Sequence, residues 1–333
     1  MTDRDWSAYA KSTYQYELGG KKMLRMTKSS LTSDFDYCPK QYEYKRIHRL
    51  PQPSTDAMIK GTNVHDAIEQ FYINLSTEVN KAYALLQEDK RDKARELFNK
   101  CLPVPDEPYK LGEEEPLRVR LEWDLDRLAG SGPKYFLPII NELEIHAYAE
   151  EHIEINGEEF TVPVHYAGSI DRAFRTEEGG VAIMELKTGK WVQTLKNDEW
   201  IDSSFKVQSM RTEMAFYKDL LELADHEYQN VTHWGWVYPS GGATVTERYN
   251  KWGYEQRGVN HIQYEPCTGR REKDYAKKIR RMKDALLTAY LTGHFPESPS
   301  AAKCAWCAYK PICPSWDGSD KPEEYLKLLE ENE

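Results

Sequence analysis

The chain has 333 residues, of which 40% are hydrophobic and 30% charged, and its 45 basic and 55 acidic side chains leave a net charge of −10. That length suits one large domain with a helical insertion, or two domains, and that balance excludes a surface coated in basic residues while allowing local basic patches. No run of about 18 apolar residues occurs, so no helix is expected to cross a membrane.

Residues 1–26 are polar with scattered Tyr and Trp, and read as an N-terminal extension. The following SSLTSDFDYCPKQYEYKRI reads as helix, with Ser30 or Thr32 as cap and Leu31, Phe35, Tyr42 and Tyr44 as apolar contacts. After a break at PQPS, GTNVHDAIEQFYINL (61–75) carries Val64, Ile68, Phe71 and Leu75 on one stripe and predicts a second helix. A highly charged stretch with helical periodicity, interrupted by Pro103, Pro105, Pro108 and Pro116, predicts a helical insertion over about 76–135.

From 139 the pattern turns to β-rich runs, LEIHAYAEEHIEI, FTVPVHYAGSIDRAFR and GGVAIMELKTG, with a turn signal in EEGG at 177–180. A helix over 205–224, a strand in VTHWGWVYP and a helix over about 271–292 lead into a cysteine loop. An acidic tail follows over 317–333. The order predicts an α/β (α+β) core with one mixed central sheet flanked by helices. No GxxxxGK motif is present, which argues against ATP-driven translocation by this chain alone.

The chemistry concentrates in GSIDR and MELKTGK. Strand alternation puts Glu185 and Lys187 on one face, and pairing through the 177–180 turn brings Asp171 beside Glu185. Two carboxylates so placed can share Mg²⁺ or Mn²⁺, which polarises a phosphodiester and activates water, with Lys187 as a fixed positive charge. The plain alternative is a set of surface ion pairs. The apolar flank of Ile170, Ala173, Ile183 and Leu186 places the carboxylates near a core, where unpaired charge is costly. His65 stands on the second helix as a further ligand or a structural histidine.

Cys304, Cys307 and Cys313 cluster in CAWCAYKPICP, and Cys38 stands alone in DYCPKQY. Four thiolates suit Zn²⁺ or a [4Fe–4S] cluster equally. Either would clamp the N- and C-terminal regions together. Cys101 and Cys267 read as ordinary thiols. The run RREKDYAKKIRRMK, with Arg270, Arg271, Lys277, Lys278, Arg280 and Arg281, is the clearest basic patch, either tracking a phosphate backbone or forming a solvated helix face. Lys40, Lys45 and Arg46 are secondary candidates. Trp234, Trp236 and Tyr238 alternate on one strand face, either stacking bases or packing under a helix.

The ordered set GTNVHDAIE, GSIDR, ELKTGK, EMAFYK and CAWCAYKPICP, over roughly 27–316, resembles the RecB-like branch of the PD-(D/E)XK nucleases that carry a four-cysteine iron–sulfur cluster, similar to the CRISPR adaptation nuclease and the AddB nuclease domain. The resemblance implies a restriction-endonuclease-like core. It implies metal ligation by His65, Asp171, Glu185 and the Leu186 carbonyl, with Lys187 as catalytic lysine and Tyr217 as a site residue. The family's Gln position falls on Glu213, and Gln208 lies nearby but out of helical phase. Glu142 or Glu144 matches a further acidic position. Cys38, Cys304, Cys307 and Cys313 become [4Fe–4S] ligands, and this tips the choice away from Zn²⁺.

The expected function is a Mg²⁺- or Mn²⁺-dependent DNA exonuclease acting on single-stranded DNA or DNA ends, working with a helicase, recombination or CRISPR partner. Two rivals are a catalytically silent DNA-binding or assembly subunit and a zinc-bound module fused to an unrelated enzyme. The opening residues have no apolar signal-peptide core, so the expected location is cytoplasmic, or the host cytoplasm for a viral protein. Six cysteines in that setting favour metal ligation over disulfides.

Overall fold

A long antiparallel hairpin organises the molecule. Its strands are β3 (Ile140–Ile155) and β4 (Glu158–Arg175), in register from Ile140↔Ala173 to Ile155↔Glu158. Asn156 and Gly157 turn it with φ of +53° and +84°, the mirror-image turn whose twist matches the strands. This computed structural model describes residues 15–18, 21–50, 52, 54–240, 248–249, 255–304 and 307–315.

The free edge of β4 takes two strands in succession. β2 (Lys21–Thr27) runs parallel to it at Leu24↔Val164 through Thr27↔Ala167, with β1 (Gln15–Leu18) outside. β5 (Val181–Leu186) runs antiparallel at Arg172↔Met184 through Arg175↔Val181. The two therefore point at each other and separate at Gly168–Asp171. That split opens the sheet where the chemistry-bearing residues lie. β8 (Val231–Tyr238) continues the sheet parallel to β5, and β11 (His261–Pro266) closes it antiparallel to β8.

Each face of this sheet buries its own core. α1 (Asp56–Leu75), α2 (Val79–Gln87), α3 (Arg91–Cys101) and α4 (Glu114–Phe136) cover one face, where Phe71, Phe98, Leu125 and Phe136 pack with Phe174, Leu186 and Val237. α1 begins at Thr55, whose hydroxyl accepts the Met58 N–H. α5 (Ser204–Leu223) and α6 (Arg270–Thr292) cover the other, where Met214, Tyr217 and Leu220 meet Ile170, Trp234 and Trp236. Each fully buried side chain of this size contributes about 1.5–3 kcal/mol. Gly168 permits the close approach of α5, because a Cβ there would lie 3.2 Å from the Tyr217 ring and 3.1 Å from Leu220.

The mixed sheet and the two late helices agree with the expectation from sequence, and the charged stretch before the hairpin is helical. The segment after β2 is helical in pieces: wide π-type turns over Ser29–Phe35 and Glu43–Ile47 flank an α-turn over Pro39–Tyr42. Two features depart from it. Lys21–Thr27, placed in the extension, is a sheet strand with Leu24 and Met26 buried on one face by its period of two. A second sheet, in the order β7–β6–β10–β9, was not foreseen. It comprises β6 (Trp191–Lys196), β7 (Glu199–Asp202), β9 (Arg248–Tyr249) and β10 (Glu255–Val259). Residues 1–14 of the expected extension and the whole of the acidic tail at 317–333 lie outside the described residues. Among the described residues no helix is long and apolar enough to cross a membrane.

Candidate active site

The split in the sheet lines up three carboxylates. Asn141↔Arg172 and Leu143↔Ile170 flank Glu142, which therefore stands opposite Asp171. On the other side, the β4–β5 register continued by one step sets Asp171 opposite Glu185. Glu142 has φ of +51°, an uncommon conformation that interrupts the ladder and re-aims its side chain. α1 lays His65 across this row. His65 Nδ1 is 3.0 Å from Glu142 Oε1 and 3.7 Å from Asp171 Oδ2, and Nε2 is 3.0 Å from the Leu186 carbonyl. The ligand atoms of His65, Glu142 and Asp171 all lie within 4.8 Å of one another. The Leu186 N–H donates to Asp171 Oδ2 at 2.7 Å and fixes that carboxylate.

Two lysines face the row from the α5 side. Lys28, the residue after β2, and Lys187, the residue after β5, each place Nζ 2.6 Å from Glu185 Oε1. Both also reach Glu213 Oε2 on α5, at 3.2 Å and 3.0 Å. Lys28 lies over the buried Tyr217 ring, 5.2 Å from its centroid.

The electrostatics divide accordingly. Burial, and then the Glu185 charge, raise the Asp171 carboxyl above its ordinary range, against the pull of His65. Burial pushes Glu185 the same way, but Lys187 and Lys28 outweigh it and hold that carboxyl low. Burial works against the charge on Lys28 and Lys187, yet Glu185 and Glu213 hold both above the usual lysine range. Burial likewise opposes a charged His65, while its hydrogen bond to Glu142 and the Asp171 charge raise it.

The donor set fits a hard divalent cation. It combines an imidazole, carboxylate oxygens and a backbone carbonyl. Glu185 Oε2 is buried without a hydrogen-bond partner, an arrangement that is costly unless a cation meets it. Both His65 nitrogens face oxygen atoms, Glu142 Oε1 and the Leu186 carbonyl.

Comparison with known proteins agrees with this geometry. The family model of the PD-(D/E)XK nuclease superfamily matches residues 29–314. The chain belongs to this superfamily. Its central mixed sheet flanked by helices is the restriction-endonuclease-like arrangement of PD-(D/E)XK proteins. Two solved structures are among those to which the chain is similar. One is SSO0001, at 14% identity over 88% of this chain and 86% of that one, with a TM-score of 0.34. The other is a candidate exonuclease from Eubacterium rectale, at 12% identity over 92% of each chain, with a TM-score of 0.41. Both likenesses are distant. No curated protein matches the chain.

The PD-(D/E)XK motif residues expected from sequence converge: His65, Asp171, Glu185, Leu186, Lys187 and Tyr217 surround one site. Glu213 occupies the position expected for Gln, and it serves there as partner of both lysines. Gln208 is exposed on α5. Glu142 is the further acidic residue, whereas Glu144 turns outward to Arg25, 3.6 Å away. Lys28 was not foreseen. Its only signal is its place just beyond the alternating LRMT of β2.

Cys38, Cys304, Cys307 and Cys313 line one cavity. The Ser298 N–H donates to Cys38 Sγ at 3.4 Å, and burial raises the Cys307 and Cys313 thiols. Cys101 and Cys267 are buried elsewhere. Trp234, Trp236 and Tyr238 are buried under α5 and α6, so the base-stacking option for them is withdrawn. On α6, Arg270, Lys277, Arg280 and Arg281 are exposed; Arg270 pairs with Asp274, Arg280 with Glu151 and Arg271 with Glu265, and Lys278 donates to Thr212. Lys45 and Arg46 pair with Asp34, and Lys40 with Glu43.

Proposed function

We propose that this protein is a Mg²⁺- or Mn²⁺-dependent deoxyribonuclease acting on single-stranded DNA or DNA ends as an exonuclease. One observation carries the reading: His65, Glu142 and Asp171 converge within 4.8 Å at the split of the sheet, beside the buried Glu185. His65, Asp171, Glu142, Glu185 and the Leu186 carbonyl would hold the ion; Glu185 Oε2 is buried without a hydrogen-bond partner. When bound, the ion polarises the phosphate and lowers the pKa of an attacking water.

The chain's own residues supply the rest. Lys187 presents a fixed positive charge to the developing charge on the phosphate. Lys28 and Glu213 set the position of Lys187 and Glu185, and Tyr217 gives Lys28 an aromatic floor. The Leu186 N–H holds Asp171 in a single orientation.

At the other end, the four cysteines suit a [4Fe–4S] cluster acting as a structural clamp, with Zn²⁺ as the alternative that metal analysis separates. The motif order supports an intracellular role alongside a helicase, recombination or CRISPR partner. The test is digestion of end-labelled single- and double-stranded oligonucleotides with Mn²⁺, Mg²⁺ or EDTA. Metal-dependent shortening from an end, lost in Asp171→Ala, is the expected result. Equal degradation by wild type and Asp171→Ala would remove the reading and favour a DNA-binding subunit.

A further inference from the structure

A groove of about 690 Å³ lies between the small sheet and the first turns of α5. Its lining includes Glu213, the partner of Lys28 and Lys187 beside the carboxylate centre. Its floor holds Met210 and Tyr238, both buried. Lys206 lies on the same helix face as Glu213, because seven residues make about two turns, or roughly 10 Å along the axis.

Lys206 is held by aromatic rings and a carbonyl. Its Nζ sits 4.3 Å from the centroid of the Tyr238 ring and 5.2 Å from that of Trp191, and donates to the Lys190 carbonyl at 2.5 Å. Among the described residues no carboxylate comes within 4 Å of it. Asp202, which also lines the groove, accepts hydrogen bonds from Trp191 Nε1 at 2.6 Å and Gln193 Nε2 at 2.9 Å. Burial, and then the charge of Lys187, lower the Lys206 ammonium to about 8, the direction expected of a cation lacking an anion. Beside it, Phe205 is 72% exposed and Ile201 43% exposed, both lining the groove. A desolvated cation and a bare aromatic ring next to a phosphodiester centre match the two chemistries of a single nucleic-acid strand.

We propose that this groove holds the single-stranded part of the substrate next to the scissile bond, with Lys206 Nζ on a backbone phosphate and the Phe205 ring against a base. The inference rests on the nuclease reading and extends it to the path of the strand.

The test compares full-length wild type with Lys206→Met, Lys206→Arg and Phe205→Ala. Hydrolysis of bis(p-nitrophenyl) phosphate reads the metal centre alone, since that ester is too small to reach the groove. Binding of a fluorescent oligothymidylate in EDTA, over a salt series, reads the groove without cleavage. Lys206→Met is expected to bind about tenfold more weakly, with a salt slope shallower by about 0.7, the value of one phosphate contact on a single strand. Lys206→Arg keeps the wild-type slope. Phe205→Ala binds about tenfold more weakly with the slope unchanged. All three hydrolyse the small ester at the wild-type rate.

Wild-type affinity and slope in Lys206→Met would overturn the inference, as would loss of ester hydrolysis in step with DNA binding. Wild-type protein that fails to bind the oligonucleotide overturns it as well. Wild-type protein that binds DNA but cleaves neither substrate removes the nuclease reading, and the binding arm still decides the groove.

Discussion

At the carboxylate centre, Asp171 lies between strand ladders that pair its neighbours Ile170 and Arg172, and the Leu186 N–H holds its carboxylate. Among the described residues the cysteine end has no ladder. There the segment around Cys38 meets the C-terminal loop through side chains: Tyr37 OH donates to the Lys303 carbonyl at 2.7 Å, Tyr309 OH to the Leu50 carbonyl at 3.1 Å, and Tyr42 stacks on Phe295 at 5.8 Å. The difference has a physical lesson. Carboxylates that must not collapse onto one another are spaced by the hydrogen-bonded register within sheets. On the proposed reading of the four cysteines as ligands, thiols drawn from distant parts of the chain depend on the group they bind to hold them together. The catalytic end should therefore keep its shape without metal, and the cysteine end should not.

The largest expected effect falls on the weaker end. Removing the clamp frees a loop spanning most of the chain, at a cost of about 5 kcal/mol in closure entropy alone. Cys307→Ala should lose its metal on elemental analysis and melt well below wild type, with folded protein still cleaving the small ester. Unchanged melting with the metal gone would mean that side-chain packing suffices there.

At the carboxylate centre the signs reverse. Asp171→Asn should lower cleavage by at least about 100-fold, through loss of a metal ligand. It should leave thermal stability unchanged or raised, because the native state holds that carboxyl above its ordinary range and the charge is a burden at neutral pH. A drop in melting temperature would show that Asp171 is structural.

Lys28→Met probes the join between β2 and the centre. It leaves Glu185 with one ammonium in place of two, and should reduce kcat about tenfold with little change in KM. An effect confined to KM would place Lys28 on the substrate instead of on Glu185.

An effect on stability alone lies behind the site. Arg211 grips Glu265 with two 2.6 Å hydrogen bonds, and Trp234 Nε1 adds a third at 2.9 Å. Burial raises the Glu265 carboxyl, but Arg211 and Trp234 outweigh it and the net shift is downward. A lowered folded-state pKa stabilises the protein above the ordinary glutamate range, and that contribution disappears as the pH falls through the folded value. Glu265→Gln should therefore cost about 2 kcal/mol near neutral pH. The gap from wild type should close in acid denaturation below about pH 4, the ordinary glutamate range. A gap that stays constant with pH would assign the effect to packing.

How much of this was legible in the sequence depended on local signals. Asp171, Glu185 and Lys187 stood out because their strands are apolar runs joined by the short EEGG turn. Glu142 was one of several acidic residues in NELEIHAYAEE, and its selection comes from a left-handed φ that no residue type announces. Lys28 acts across 157 positions on Glu185, through a parallel strand whose pairing is not local. The small sheet escaped because its strands span 2 to 6 residues and are mostly half-buried, and because β6 pairs with β10 from the far side of α5. Its hairpin was signalled only by Asn197 and Asp198, with φ of +52° and +64°.

Direct binding of Mn²⁺, followed by electron paramagnetic resonance in titrations without DNA, is the most direct test of the carboxylate centre. Wild type should take up the ion, and Asp171→Asn and His65→Ala should each lose that binding while remaining folded. Identical uptake by all three proteins would contradict the assignment of a metal site to the split between β2 and β5.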